Sequence, residues 1–159
     1  MNLLSGNLLD ASEGIIVHGC NAQGKMASGV ARDIRARYPQ AYDAYMAHYQ
    51  AKGLKLGEVV WAKISDEPKL AIANGITQEF YGRDASRRYV DYPAVAQVFR
   101  AVAKVAHARQ LPVHYPKIGA GLGGGDWGVI EKIINEELAG LNHTLWVPPE
   151  PLAASRPSP

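Results

Sequence analysis

A chain of 159 residues with 47% hydrophobic and 20% charged side chains is long enough for one domain with a sizeable core and short for two. Its net charge of +2 is spread along the chain and lacks the basic footprint of a nucleic-acid-binding domain, while no apolar run reaches the roughly 18 residues of a membrane span. One cysteine, Cys20, excludes an internal disulfide framework and a cysteine-based zinc site.

The elements follow in chain order. Asn2–Leu4 is short enough for an edge strand and leads into the turn-like Ser5-Gly6-Asn7. GIIVHGC, from Gly14, is a continuous apolar run bounded by glycine, the pattern of a strand buried on both faces. After His18-Gly19-Cys20-Asn21 the chain holds small and polar residues through Gly29. A helix over 28–38 then has Val30, Ile34 and Tyr38 at a spacing of four, and Pro39 stops it. A second helix over 41–52 ends at Gly53, a C-cap residue. EVVWAKI from Glu58 and KLAIANGI from Lys69 read as two further strands.

Residues 82–92 are polar and loop-like. Asp91 can cap a helix whose first turn tolerates Pro93 and whose stripe, from Val95 to Ala106, marks an amphipathic face. PVHYPKI is a short strand leading into GAGLGGG, in which five of seven residues are glycine. Asp126 is placed to cap a helix reaching about Leu138. HTLWV at 143–147 closes the sheet, and residues 148–159 read as a Pro-rich disordered tail.

Strands alternating with helices predict a three-layer α/β/α domain around a mostly parallel sheet. In such sheets ligands bind beyond the carboxyl ends of the strands. Both glycine-rich stretches occupy strand-to-helix positions, so the two can converge on one crevice. Glycine brings a ligand against the main chain, successive backbone N–H groups make anion-binding concavities, and a helix N-terminus adds positive potential. A diphosphate suits that combination. The P-loop signature is absent, and Gly119-Ala120-Gly121-Leu122-Gly123-Gly124 lies too late in the chain for a Rossmann fingerprint.

IIVHGCNAQGKMASGVARDIRARYPQAY together with PKIGAGLGGGDW resembles the macrodomain family, most of all the small ADP-ribose-1''-phosphate processing proteins of phages, bacteria and fungi. That branch is related to terminal ADP-ribose glycohydrolases and to antitoxin macrodomains acting on DNA. The resemblance covers residues 1–147 and implies a macrodomain with a mixed, mostly parallel sheet and an ADP-ribose pocket.

By that resemblance Asn7 and Leu8 lie near the adenine, with Asn7 where many members have aspartate. Asn21, Ser28, Gly29 and Val30 meet the distal ribose and its phosphate. Ile118, Gly119, Ala120, Gly121, Leu122, Gly123 and Gly124 wrap the diphosphate through backbone N–H groups. Tyr81 is a candidate for the pocket wall and Trp127 for the core. Arg83, in the cluster Arg83, Arg87 and Arg88, has the guanidinium geometry to steady a terminal phosphate, and the cluster reads equally as a solvated loop.

A phosphomonoesterase needs a base and donors for the developing charge. His18, at the end of a buried strand, is the first catalytic candidate, matching a histidine of the fungal phosphatases, and a core histidine is the alternative. Asp84 in YGRDASRR is the second, because Asp91 and Asp126 are accounted for as caps. Cys20 reads as a buried thiol rather than a nucleophile. The lysine and the acidic group of the glutamate-directed glycohydrolases fall at Gln78 and Gly123, so that route is disfavoured.

The expected function is ADP-ribose binding with phosphatase activity on ADP-ribose 1''-phosphate. Its alternatives are a non-catalytic reader of ADP-ribose and a hydrolase removing ADP-ribose from protein or nucleic acid. No cofactor, metal or membrane partner is expected, and the chain is expected to be a monomer. An N-terminus without a basic start or a small-residue cleavage site points to the cytoplasm.

Overall fold

The computed structural model describes residues 1–149, so the expected tail lies outside the described residues apart from Pro148 and Pro149. Six strands form one mixed sheet in the order β1-β6-β5-β2-β4-β3. These are β1 (Asn2–Ser5), β2 (Gly14–Asn21), β3 (Val59–Asp66), β4 (Lys69–Gln78), β5 (Val113–Tyr115) and β6 (His143–Val147). Every neighbouring pair is parallel except β3 with β4, and β1 and β3 are the edges. The helices are α1 (Gly29–Arg37), α2 (Pro39–Lys52), α3 (Tyr92–Arg109) and α4 (Trp127–Glu137). None among the described residues is long and apolar enough to cross a membrane.

Three layers follow from the two-residue period of the central strand. Ile15 and Val17 of β2 face one way and pack with Val98, Phe99 and Val102 of α3 and Ile130 and Ile134 of α4. Ile16 faces the other way, against Ile34 of α1 and Ala41 of α2, and Cys20 packs near Tyr45 of α2. All of these side chains are buried. His18 shares the period of Ile16 and Cys20, so its ring is carried to the α2 side of the sheet.

Several element ends differ from expectation. Pro39 does not merely stop α1. It opens α2, since a proline N–H is not needed at the first helical position. The stripe expected on α1 buries only Ile34, while Val30 is 36% exposed at the loop end. Strand β4 runs on to Gln78, where it bridges Val90 and draws the 82–92 loop toward the sheet. Strand β5 covers only Val113–Tyr115. Asp91 and Asp126 do cap α3 and α4, each carboxylate accepting from a first-turn backbone N–H.

Candidate functional site

Strands β2, β4, β5 and β6 end on the same side of the sheet, and the loops that follow enclose two adjoining cavities. The first, of about 680 Å³, lies against the ends of β2 and β4, and the second, of about 730 Å³, against the Asn7–Leu9 turn and the end of β6. They share Val30, Pro116, Lys117 and Gly121, so they form one elongated cleft. We call the ends distal and proximal respectively.

The distal wall includes His18, Asn21, Ser28, Gly29, Val30, Tyr81, Arg83, Ile118, Gly119, Gly121, Leu122 and Gly123. Asn7, Leu8 and Ala120 line the proximal end. Chain segments about 100 residues apart in sequence thus meet as the two loop stretches were expected to. Lys25, Lys117 and Thr77 of the distal wall and Trp146 of the proximal wall were not singled out in the sequence. Lys117 lay in plain view within PKI. Nothing in HTLWV distinguished the cleft face from the core face.

Two expected residues are outside the cleft. Asp84 lines neither cavity: its Oδ1 accepts from the N–H and the hydroxyl of Ser86, closing a turn, and these bonds hold its carboxyl below the usual range. Gly124 is also excluded. Its N–H donates to the Gly121 carbonyl, and a Cβ there would lie 2.7 Å from the Arg87 carbonyl oxygen. Replacing Asp84 with asparagine should therefore change ligand affinity by no more than about twofold, as measured by calorimetry.

The glycine stretch is a tightly tied loop. Gly125 N–H donates to Gly119 O, while Gly123 O accepts from the N–H groups of both Tyr89 and Val90. Ile118 and Ala120 spend their N–H groups on Pro116 and Lys117. Among the described residues, the N–H groups of Gly119, Gly121, Leu122 and Gly123 have no protein partner, and all four residues line the distal cavity. The unpartnered amides of the segment are thus four, fewer than the whole segment. The uncapped start of α1 adds its own first-turn N–H groups, since the Ser28 side chain makes no capping bond.

The opposite lip is held by α2. Tyr45, fully buried, donates to the Asn21 carbonyl at 2.7 Å and accepts from Gly24 N–H at 3.1 Å. Asn21 itself receives the Gln23 N–H and donates to the Lys25 carbonyl. Its amide therefore shapes the loop that carries Lys25 to the wall, as well as lining the cavity.

His18 is 1% exposed, and its Nε2 lies 2.6 Å from Asn74 Oδ1, its partner in the β2–β4 register. Asn74 in turn donates from Nδ2 to the Ala41 carbonyl, which fixes the amide and makes Nε2 the protonated ring nitrogen. Nδ1 faces only the weak Cys20 thiol, 3.8 Å away, and the same sulfur lies 3.5 Å from Nε2. Burial pushes the imidazole down to about 4, against the opposing pull of Asn74, and pushes the Cys20 thiol up. Both groups are neutral at pH 7.

Three cations, Lys25, Arg83 and Lys117, line the distal cavity, and among the described residues no carboxylate does. Arg87 and Arg88 are turned elsewhere, over the rings of Tyr89 and Tyr92. Among the described residues no cluster of three metal-ligating side chains occurs.

A strand-end cleft with free amides, an uncapped helix start and unpaired cations defines an anion-binding α/β domain. Residues 17–134 match the Macro domain family, and the chain belongs to that family. It is similar to a DNA ADP-ribosyl glycohydrolase of Thermus aquaticus, 26% identical over 152 residues that cover 92% of this chain and 40% of that protein. An ADP-ribose 1''-phosphate phosphatase of Scheffersomyces stipitis is 27% identical over 147 residues, covering 79% of this chain and 84% of that one. The structure of a macrodomain protein from Streptomyces coelicolor superposes with a TM-score of 0.77 at 28% identity, over 92% of this chain and 97% of the other. The chain spans less than half the length of the DNA ADP-ribosyl glycohydrolases it matches.

Proposed function

We propose that this macro domain binds ADP-ribose along the two joined cavities and hydrolyses ADP-ribose 1''-phosphate to ADP-ribose and phosphate. The observation that carries this reading is the distal wall, which among the described residues offers four unpartnered N–H groups and three cations with no carboxylate to repel a phosphate. The nucleoside occupies the proximal end beside Asn7 and Leu8. The diphosphate lies along Gly119–Gly123 and the start of α1. The distal ribose then extends toward Asn21, and its 1''-phosphate toward Lys25 and Arg83.

Hydrolysis requires water to attack phosphorus while the 1''-oxygen leaves, with donors for the charge on the equatorial oxygens. Lys25, Arg83 and the free amides supply those donors. His18 Nδ1 takes the proton from the attacking water and gives it to the departing 1''-oxygen, so that ADP-ribose leaves as the hydroxyl compound and the ring returns to neutral. Because the imidazole is neutral well below pH 7, its availability as a base does not change from about pH 5.5 to 8. Phosphate release should therefore show no acidic limb near pH 6.5, and His18→Ala should abolish it while leaving ADP-ribose affinity largely intact. A limb centred near 6.5, or full activity in His18→Ala, would remove His18 from this role.

One observation favours a second reading, hydrolysis of ADP-ribose from a macromolecule. The distal wall carries Tyr81 and Leu122, each about half exposed, so a ligand joined to a larger body can leave the cleft there. Phosphate release separates the readings: its absence from the parent protein, with ADP-ribose binding retained, leaves the binding role and rejects the phosphatase.

A further inference from the structure

We infer that the Thr77 hydroxyl is a ligand-binding donor, aimed by a bulge in β4 at the diphosphate beside the Gly119–Gly123 loop. The inference deepens the reading of the cleft given above and rests on it.

Thr77 is 1% exposed, yet it lines the distal cavity. Among the described residues its Oγ1 has no hydrogen-bond partner, and the oxygen is not sealed in the core, so it meets the open space of the cavity. A hydroxyl held this deep without a partner costs free energy. What enters the cavity is left to supply the bond.

Two local features place it there. Cys20 pairs with Ile76 and Asn21 with Gln78, so one step along β2 matches two along β4, and Thr77 is the extra residue. Bulges of this kind re-aim a side chain beside a site. The Thr77 carbonyl accepts the Asp91 N–H at 2.8 Å, which ties the bulge to the cap of α3. Beside it, Gly19 has no side chain: a Cβ there would lie 2.7 Å from Thr77 Oγ1 and 3.1 Å from a methyl group of Ile118. Gly19 lines the same cavity, so its missing Cβ is what leaves the hydroxyl open to a ligand.

The same distances identify the partner. Thr77 Oγ1 and the Ile118 methyl flank one gap, and Ile118 leads directly into Gly119, the first of the unpartnered amides. The hydroxyl thus stands at the start of the amide run. Among the described lining residues no carboxylate competes for its proton, while a phosphate oxygen at that end of the run can only accept. His18 and Cys20 alternate with Gly19 along β2 and point to the α2 side, whereas Ile118 belongs to the α3–α4 side. Thr77 is therefore a binding group and not a partner of the imidazole.

The test is calorimetry of ADP and ADP-ribose with the parent protein, Thr77→Val and Thr77→Ser, together with thermal denaturation. Valine keeps the shape and removes the hydroxyl, and serine keeps the hydroxyl. Thr77→Val should weaken both nucleotides by the same factor, about tenfold, because both carry the diphosphate, and Thr77→Ser should bind within about threefold of the parent. Thr77→Val should also keep the parent Tm, since the hydroxyl makes no bond inside the protein. Parent affinity in Thr77→Val overturns the inference. So does a lowered Tm, which would reveal a structural bond, or a loss confined to ADP-ribose, which would put the hydroxyl at the distal ribose. A parent that binds ADP-ribose but not ADP removes the diphosphate as the anchor and overturns it too. Absence of binding by either nucleotide overturns the assignment of the cleft itself, and the inference with it.

Discussion

Lowering the pH from 7 to 4 should remove about 3 kcal/mol of folding stability through His18 alone. In the unfolded chain the imidazole takes up a proton near its ordinary value of about 6.5. In the folded protein it does so only near 4, because protonation would place a charge on a ring that burial on the α2 side of β2 has stripped of most of its solvent. The unfolded state therefore binds more protons between those two values. Stability is fully present above pH 6.5 and falls as the pH drops through the window. Burial also lowers His114 and His143, which act in the same direction. Urea midpoints at pH 7, 5.5 and 4 measure the slope. His18→Gln, whose amide can still donate to Asn74 but does not titrate in this range, should flatten it. Equal acid losses in parent and variant would show that the imidazole is not the group responsible.

Alanine at Gly123 and at Gly121 should have opposite effects on folding and binding. At Gly123 a Cβ would lie 2.7 Å from the Gly119 carbonyl oxygen, a backbone atom that Gly125 N–H already holds. The Gly123 carbonyl also anchors Tyr89 and Val90, so the clash reaches the 82–92 loop. Gly123→Ala should cost about 2 kcal/mol, a Tm drop on the order of 6 °C for a domain of this size. At Gly121 no atom lies within 4 Å of the added Cβ, so the open space there is the cleft itself. Gly121→Ala should keep the parent Tm and weaken ADP-ribose binding by on the order of tenfold, because the methyl group occupies ligand volume. Calorimetry and thermal denaturation of both variants decide the matter. Unchanged affinity in Gly121→Ala would mean that the ligand does not pass along this loop.

Local signals were readable wherever one segment carried them. The unbroken apolar run of β2 marked a strand covered on both faces, and Asp91 and Asp126 announced the starts of α3 and α4. The glycine density of 119–125 pointed to a main-chain anion site because close backbone approach depends on missing Cβ atoms.

Roles set by a partner in another segment were not readable. His18 becomes a neutral buried group only because β4 brings Asn74 beside it and α2 brings the Ala41 carbonyl. Asp84 stood out as an unexplained charge, yet Ser86 binds it into a surface turn. Of the seven residues expected to offer amides, three are tied off within their own loop. Val30 kept helical spacing with Ile34, but its position at the open end of α1 put it in the cleft.

The order of residues by itself determined the alternating elements, the two loops and the kind of ligand they suit, because periodicity, capping and backbone freedom act over a few neighbouring residues. Only the tertiary structure decided which N–H groups stay free, which nitrogen of His18 Asn74 holds and which loop residues line the cleft. Hydrogen-bond partnership and solvent exclusion are properties of atoms from distant segments, and they come into being when the sheet and its helices close around them.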